Sequence, residues 1–185
     1  MKVSFAEIQS KSEKQEVRKL YNKSVPVHEK AYFYPLWWKR KRADVSFLSI
    51  YDSDKWVGFV FYSTYENLVY VWFFATYDSK DSKKYDSAML DELKRLHPKH
   101  RIAVSIESEN KDARNAEQSA KEKAFYEKSG FEQTGYFVKR KSDSFEIMLL
   151  GDFFEIEELY AANKRLYPLL GRLIVSGFKK HIQKK

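Results

Sequence analysis

The chain of 185 residues contains no cysteine. Disulfides, thiolate metal sites and a cysteine nucleophile are therefore excluded. No apolar run approaches the roughly 20 residues that a membrane-spanning helix needs. The first residues, Met1-Lys2-Val3-Ser4-Phe5, lack the apolar block of a secretory signal. A soluble, cytoplasmic protein is the expectation. No pair of histidines has zinc-ligand spacing with a supporting acid, so no metal is expected, and residue order alone supports no Ser-His-Asp arrangement. There is no internal repeat and no low-complexity tract. Acidic residues are missing from one stretch: residues 164–185 hold seven Lys/Arg and no Asp/Glu. Lys39-Arg40-Lys41-Arg42 adds four more positive charges, and without these two segments the formal net charge of +8 becomes −3. The chain thus reads as a mildly acidic domain with two basic segments. A nucleic-acid partner is not expected, because such proteins spread positive charge over a face.

What is present is ample material for a core, with 43% hydrophobic and 17% aromatic residues. The length fits one domain, residues 1–150, with a C-terminal extension over 151–185. Alternation at Val3-Ser4-Phe5-Ala6-Glu7-Ile8 predicts a half-buried first strand. Ser12 followed by Gln15 or Glu16 predicts a helix start, and Val17, Leu20 and Tyr21 give that helix an apolar side. The aromatic block Tyr32-Phe33-Tyr34-Pro35-Leu36-Trp37-Trp38 is either a short helix covering the sheet, with Phe33 and Trp37 buried, or the wall of a substrate pocket. Residues 45–51 and 56–62 predict a hairpin. Gly58 inside its second strand predicts a bulge or a close backbone approach. Glu66-Asn67 turns the chain into a strand over 68–76, whose nearly continuous apolar run predicts cover on both faces.

The stretch over 69–131 then reads strand, polar loop, helix, strand, helix. In the first of these helices Tyr85, Ala88, Met89, Leu93 and Leu96 form one apolar stripe. A strand feeding a loop and a helix N-terminus can grip a phosphate, since the first-turn N–H groups are unpaired and carry partial positive charge. The second strand is Ile102-Ala103-Val104-Ser105-Ile106. The helix after it begins near Asn115-Ala116-Glu117-Gln118 and stops at Gly130. Residues 131–138 and 144–150 form a closing hairpin.

Two places in this stretch resemble the GNAT acetyltransferase family: Asp81-Ser82-Lys83-Lys84-Tyr85-Asp86-Ser87, at the family's pyrophosphate loop, and Phe125-Tyr126 through Gly130-Phe131, at its tyrosine-plus-Gly-Phe ending. The resemblance covers roughly residues 1–150. The family's loop pattern is Arg/Gln-x-x-Gly-x-Gly/Ala, where this chain has Asp81, Lys84 and Asp86, so the loop is degenerate. The fold implied is α/β, with a mixed, mostly antiparallel central sheet flanked by helices and, beyond it, a C-terminal helical extension.

The resemblance implies acetyl-CoA as co-substrate. It places the backbone of Phe74, Ala75 and Thr76 on the pantetheine arm, and Ser82, Lys83, Lys84, Tyr85, Asp86 and Ser87 at the pyrophosphate, and counts Phe125 among the cofactor-binding residues. Tyr126 is implied as the proton donor to the departing thiolate. A buried aromatic at a helix end is the alternative for Tyr126. Acyl transfer to an amine also needs a base. Glu107 and Glu109 lie just past a strand end where a carboxylate could act through a water, and either could equally be a solvated loop acid. His28 beside Glu29 is a further candidate, whereas His97 and His100, around Pro98, look structural. The expected activity is N-acetyl transfer to a primary amine of a small molecule or peptide. The alternative is a catalytically decayed binding or assembly module that no longer uses acetyl-CoA. In the extension, Leu166, Leu169, Leu170, Leu173, Ile174, Phe178 and Ile182 predict a basic amphipathic helix. It would pack on its own domain, form a homodimer or lie on an anionic membrane.

Overall fold

A computed structural model gives the structure of the chain and describes residues 2–25, 33–77, 82–108, 116–140, 143–153, 155–166 and 178–180. The order is β1 (Val3–Glu7), α1 (Lys11–Ser24), α2 (Phe33–Lys39), β2 (Val45–Asp52), β3 (Lys55–Tyr65), β4 (Leu68–Thr76), α3 (Ser82–Leu96), β5 (Arg101–Glu107), α4 (Ala116–Lys128), β6 (Glu132–Arg140), β7 (Asp143–Leu150), α5 (Ile156–Leu166) and β8 (Phe178–Lys180). The chain divides into two compact units, one of Met1–Thr64 and Val71–His100, the other of Tyr65–Tyr70 and Arg101–Lys185. Strand β4 begins in the second and ends in the first. Sheet and helices together make the mixed α/β, mostly antiparallel fold expected.

In the first unit the strand order is β1-β2-β3-β4. β1 pairs antiparallel with β2 through Phe5 and Ile50, and β2 with β3 through Phe47 and Phe61. Phenylalanines recur along these strands because they tolerate the extended backbone and cover much apolar area. Tyr21 of α1 meets Phe59 and Phe73, Phe33 of α2 meets Tyr21 and Phe47, Phe47 also meets Phe59, and Phe61 lies between Phe47 and Phe73, with ring centroids 5.2–6.3 Å apart. Most of β4 is buried, as the two-faced apolar run predicted. Helix α1 starts two residues before the expected Ser12. Ser10 is the cap, its hydroxyl accepting from the Glu13 N–H, while the Glu13 carboxylate accepts from the Gln9 N–H. Both serines have an acid three or four residues on; Glu13 also accepts from the Tyr51 hydroxyl of β2 at 2.8 Å, which ties the earlier start to the sheet. The stripe of α3 holds at Tyr85, Ala88, Met89 and Leu93, but Leu96 at the helix end is 40% exposed and Leu90 is buried in addition.

In the second unit the first residues of β4 run beside β5. The Arg101 N–H donates to the Asn67 carbonyl at 2.8 Å, and the Tyr70 hydroxyl donates to Ser105 Oγ at 3.1 Å, so the two run the same way. The remaining order is β5-β7-β6-β8 with antiparallel neighbours. The closing hairpin is as expected. The extension departs from expectation: α5 is helical, but Phe178–Lys180 form a strand on β6, with Val138 opposite Phe178. The unpaired N–H and C=O groups of a sheet edge accept a short strand, which outweighs the helical spacing at these three residues. The rest of the predicted stripe beyond Leu166 lies outside the described residues.

Candidate active site

The end of β4 is shaped by Gly58. A Cβ there would stand 2.2 Å from the Ala75 carbonyl oxygen and 2.9 Å from Thr76 Cα, so no other residue fits without moving backbone. Both readings of this glycine hold, because the β2–β3 register also shifts next to it, between Ile50 and Tyr51. The Tyr77 N–H continues the ladder to the Val57 carbonyl at 2.9 Å. Phe74 and Thr76 are half-buried and Ala75 is buried.

Helix α3 has no acid in its first turn, which leaves its N-terminal N–H groups suited to an anion. Ser82 and Lys83 open the helix, Lys84 and Ser87 are exposed, and Tyr85 is buried with its hydroxyl donating to Asp52 Oδ2 at 3.2 Å. Asp86 faces the strand. Its carboxylate accepts from Thr76 Oγ1 at 3.2 Å, and burial pushes its pKa up, partly offset by that hydrogen bond. The first-turn N–H groups of α3 suit a phosphate-bearing ligand, with the Asp86 carboxylate turned to Thr76. Asp81 itself lies outside the described residues, as do Glu109, His28 and Glu29. His97 meets the Tyr62 hydroxyl at 3.2 Å and stacks edge-on with His100, and burial lowers its pKa.

In the second unit α4 ends in a Schellman turn. The Phe131 N–H donates to the Tyr126 carbonyl and the Gly130 N–H to the Glu127 carbonyl, each at 3.0 Å, with Gly130 at φ +88°. The apolar contact that accompanies such a turn is Tyr126 on Phe131, centroids 5.2 Å apart. Phe125, half-buried, lies 5.2 Å on the other side. The motif thus has a structural cause: glycine supplies the left-handed residue, and the two rings seal the helix end. Tyr126 is held 3% exposed in one orientation. Glu107 is half-buried at the end of β5 opposite Phe145. Ile106 and Glu146 are the neighbouring pair, so Glu107 and Glu146 project from opposite faces. Glu146 faces α4, where Lys123 Nζ lies 3.2 Å away, one turn before Tyr126. This ion pair was not foreseen, although an acid inside Phe145-Glu146-Ile147-Met148 signals a buried partner.

No family model and no curated protein matches the sequence. Solved structures do match. One is assigned as a GNAT-family acetyltransferase from Bacteroides thetaiotaomicron: TM-score 0.69, 21% identity, covering 97% of this chain and 100% of that one. The chain has the GNAT fold. The aminoglycoside 6'-N-acetyltransferase of Enterococcus faecium matches with TM-score 0.62 and 12% identity over 84% of this chain and 100% of that one. The spermidine N-acetyltransferase of Vibrio cholerae, solved with CoA and spermine, matches with TM-score 0.58 and 12% identity over 80% and 95%. Among the described residues, no helix is long and apolar enough to cross a membrane.

Proposed function

We propose that the protein is an acetyl-CoA-dependent N-acetyltransferase that acts on a primary amine of a small molecule or peptide by direct acyl transfer. The observation that carries this is Tyr126, buried and ring-locked at the end of α4 in a GNAT fold. Three structures of that fold named above are N-acetyltransferases or assigned as acetyltransferases, and one holds CoA. Acetyl-CoA, when bound, supplies the acyl thioester. Phe74, Ala75 and Thr76 would hold its pantetheine arm and the first turns of α3 from Ser82 to Ser87 its pyrophosphate, and Phe125 would be a further cofactor-binding residue. Tyr126 keeps a proton at its phenol oxygen for a departing thiolate, and Glu107 takes the amine's proton through a water. A second reading, a binding module that has lost acetyl-CoA, draws on Asp86, which stands where the family pattern has Gly or Ala and occupies the Thr76 hydroxyl.

Isothermal titration with acetyl-CoA separates the two: saturable binding is expected, and its absence would establish the binding-module reading. With binding in hand, Tyr126→Phe is expected to lower kcat about 100-fold in a thiol-release assay. Its acetyl-CoA Kd should stay unchanged, because a proton donor to the leaving group acts in the transition state. An unchanged kcat removes Tyr126 from the chemistry.

A further inference from the structure

Helix α4 lies on the sheet of the second unit with no Leu, Ile, Val or Met in its sequence. Its buried residues are Ser119 and Tyr126, and Lys123, 22% exposed, stands between them. Steps of four and three residues put all three on one side of the helix. Opposite the middle of that side is Glu146 of β7, buried, with Ile106 of β5 and Phe137 of β6 as its cross-strand neighbours. Its Oε2 accepts from Lys123 Nζ at 3.2 Å. Lys121, the nearest lysine in the helix, pairs instead with Glu117 of the helix itself. Long aliphatic side chains, which would interdigitate with the strands and stop the helix from sliding, are therefore missing. One ion pair takes their place.

We propose that the Lys123–Glu146 pair is a positioning device: it sets the register of α4 on the sheet, and with it the place of the Tyr126 phenol. The use made of that phenol rests on the acyl-transfer reading above; the register does not. An apolar pair of similar volume would serve stability as well or better, because two charges give up hydration when buried. What the charges add is a choice among positions. A slide of one turn, about 5.4 Å, would bring Ser119 or Glu127 to Glu146, and neither neutralises a buried carboxylate. The Schellman turn and the Phe131 ring orient Tyr126 at the helix end, while the ion pair, one turn back, holds the helix along the strands. That placement matters to a proton donor, which works at hydrogen-bond distance: a misplacement of about 1 Å can lower a rate about 100-fold.

The double variant Lys123→Met/Glu146→Leu tests it, followed by thermal unfolding, acetyl-CoA titration, thiol release and the NMR signals of the Tyr126 ring, all below the onset of unfolding. The unfolding midpoint should be no lower than that of wild type and the acetyl-CoA Kd unchanged, while kcat falls at least about tenfold and the Tyr126 signals shift or broaden. Lys123→Arg, which keeps the charge pair, should retain kcat within about threefold and leave the signals in place. A merely structural pair would let kcat follow the midpoint, so wild-type kcat or unmoved Tyr126 signals in the double variant would overturn the proposal. So would a double variant that does not fold, which assigns the pair to stability, or a loss in Lys123→Arg as large as in the double variant. If the wild-type chain releases no thiol, the acyl-transfer reading fails, and the ring signals alone decide the register. Signals that move in the double variant and stay in Lys123→Arg then uphold it; signals that stay in both overturn it.

Discussion

Lys39 illustrates how one side chain can work against the fold it belongs to. Its ammonium titrates near 8 rather than 10.5, because burial and Arg42 both disfavour the charge. Between these two values the unfolded chain binds the proton and the native chain does not, so stability rises with pH across that window. Below pH 8 the cost is present in full. Lys39→Met should therefore raise the unfolding midpoint at pH 7, by on the order of 1–2 kcal/mol once solvent screening is allowed for. The advantage should vanish above pH 10.5, where both states are neutral; an advantage independent of pH would mean that packing, not charge, is responsible. Gly58 is the opposite case, a residue the fold cannot replace. In Gly58→Ala the new methyl meets backbone atoms, which cannot swing aside as a side chain would. A loss of about 3 kcal/mol is expected, as for severe overpacking, together, under the proposed function, with weaker acetyl-CoA binding, since the end of β4 is what moves. Unaltered thermal unfolding would show that β3 and β4 part there at little cost.

At the scale of elements, α5 is fixed to the start of β5 through one arginine. The Arg101 guanidinium donates to the Phe153 carbonyl at 3.3 Å, to Glu158 Oε1 at 3.2 Å, and also to Asn67 and the second oxygen of Glu158. Hydrogen bonds from Arg101 hold the Glu158 carboxyl below its usual range. Arg101→Met should cost about 3 kcal/mol, the typical penalty for removing one partner of a mostly buried pair. A carboxylate with a lowered folded pKa contributes above its unfolded value of 4.5 and loses that contribution as pH falls through the folded value. The gap between wild type and variant, followed by thermal unfolding, should therefore narrow below pH 4.5. A gap constant with pH would assign the effect to the close packing of Arg101 on Gly151. Such ties mark the limit of what patterns in the chain convey. The strands are legible because aromatic and β-branched runs suit an extended, buried backbone, and the end of α4 is legible because Gly130 and Phe131 close it. The α1 start is harder, since Ser10 and Ser12 have similar surroundings and only Tyr51, far along the chain, favours Glu13 as the capping acid. The same holds for the Thr76–Asp86 bond and the Lys123–Glu146 pair, whose members are 10 and 23 residues apart and meet only once strands and helices are in place.

For the molecule as a whole the open choice concerns the tail, and β8 alters its terms. An apolar stripe at helical spacing offered three destinations, the chain's own domain, a second copy and an anionic membrane. Phe178–Lys180 take the first of these as a strand, pairing with Tyr136–Val138 on the outer edge of β6. Truncation after Leu166 keeps α5 and removes this cover. The direct loss is modest, about 1–2 kcal/mol for a few ladder hydrogen bonds. The larger consequence is the edge itself, because an uncovered strand is a template for a second chain. The truncated protein should therefore sediment with a concentration-dependent mass above that of the full chain, and unfold at a lower midpoint. A full chain that is dimeric and a truncated one that is monomeric would give the reverse, and would place the tail at an interface between copies. Loss of binding to phosphatidylserine vesicles with the midpoint intact would assign it to a membrane surface instead. Adding charge on the β6 edge separates edge pairing from general stickiness: Phe137→Lys in the truncated protein should restore the mass of the full chain, as lysine on an exposed edge does in natural sheets.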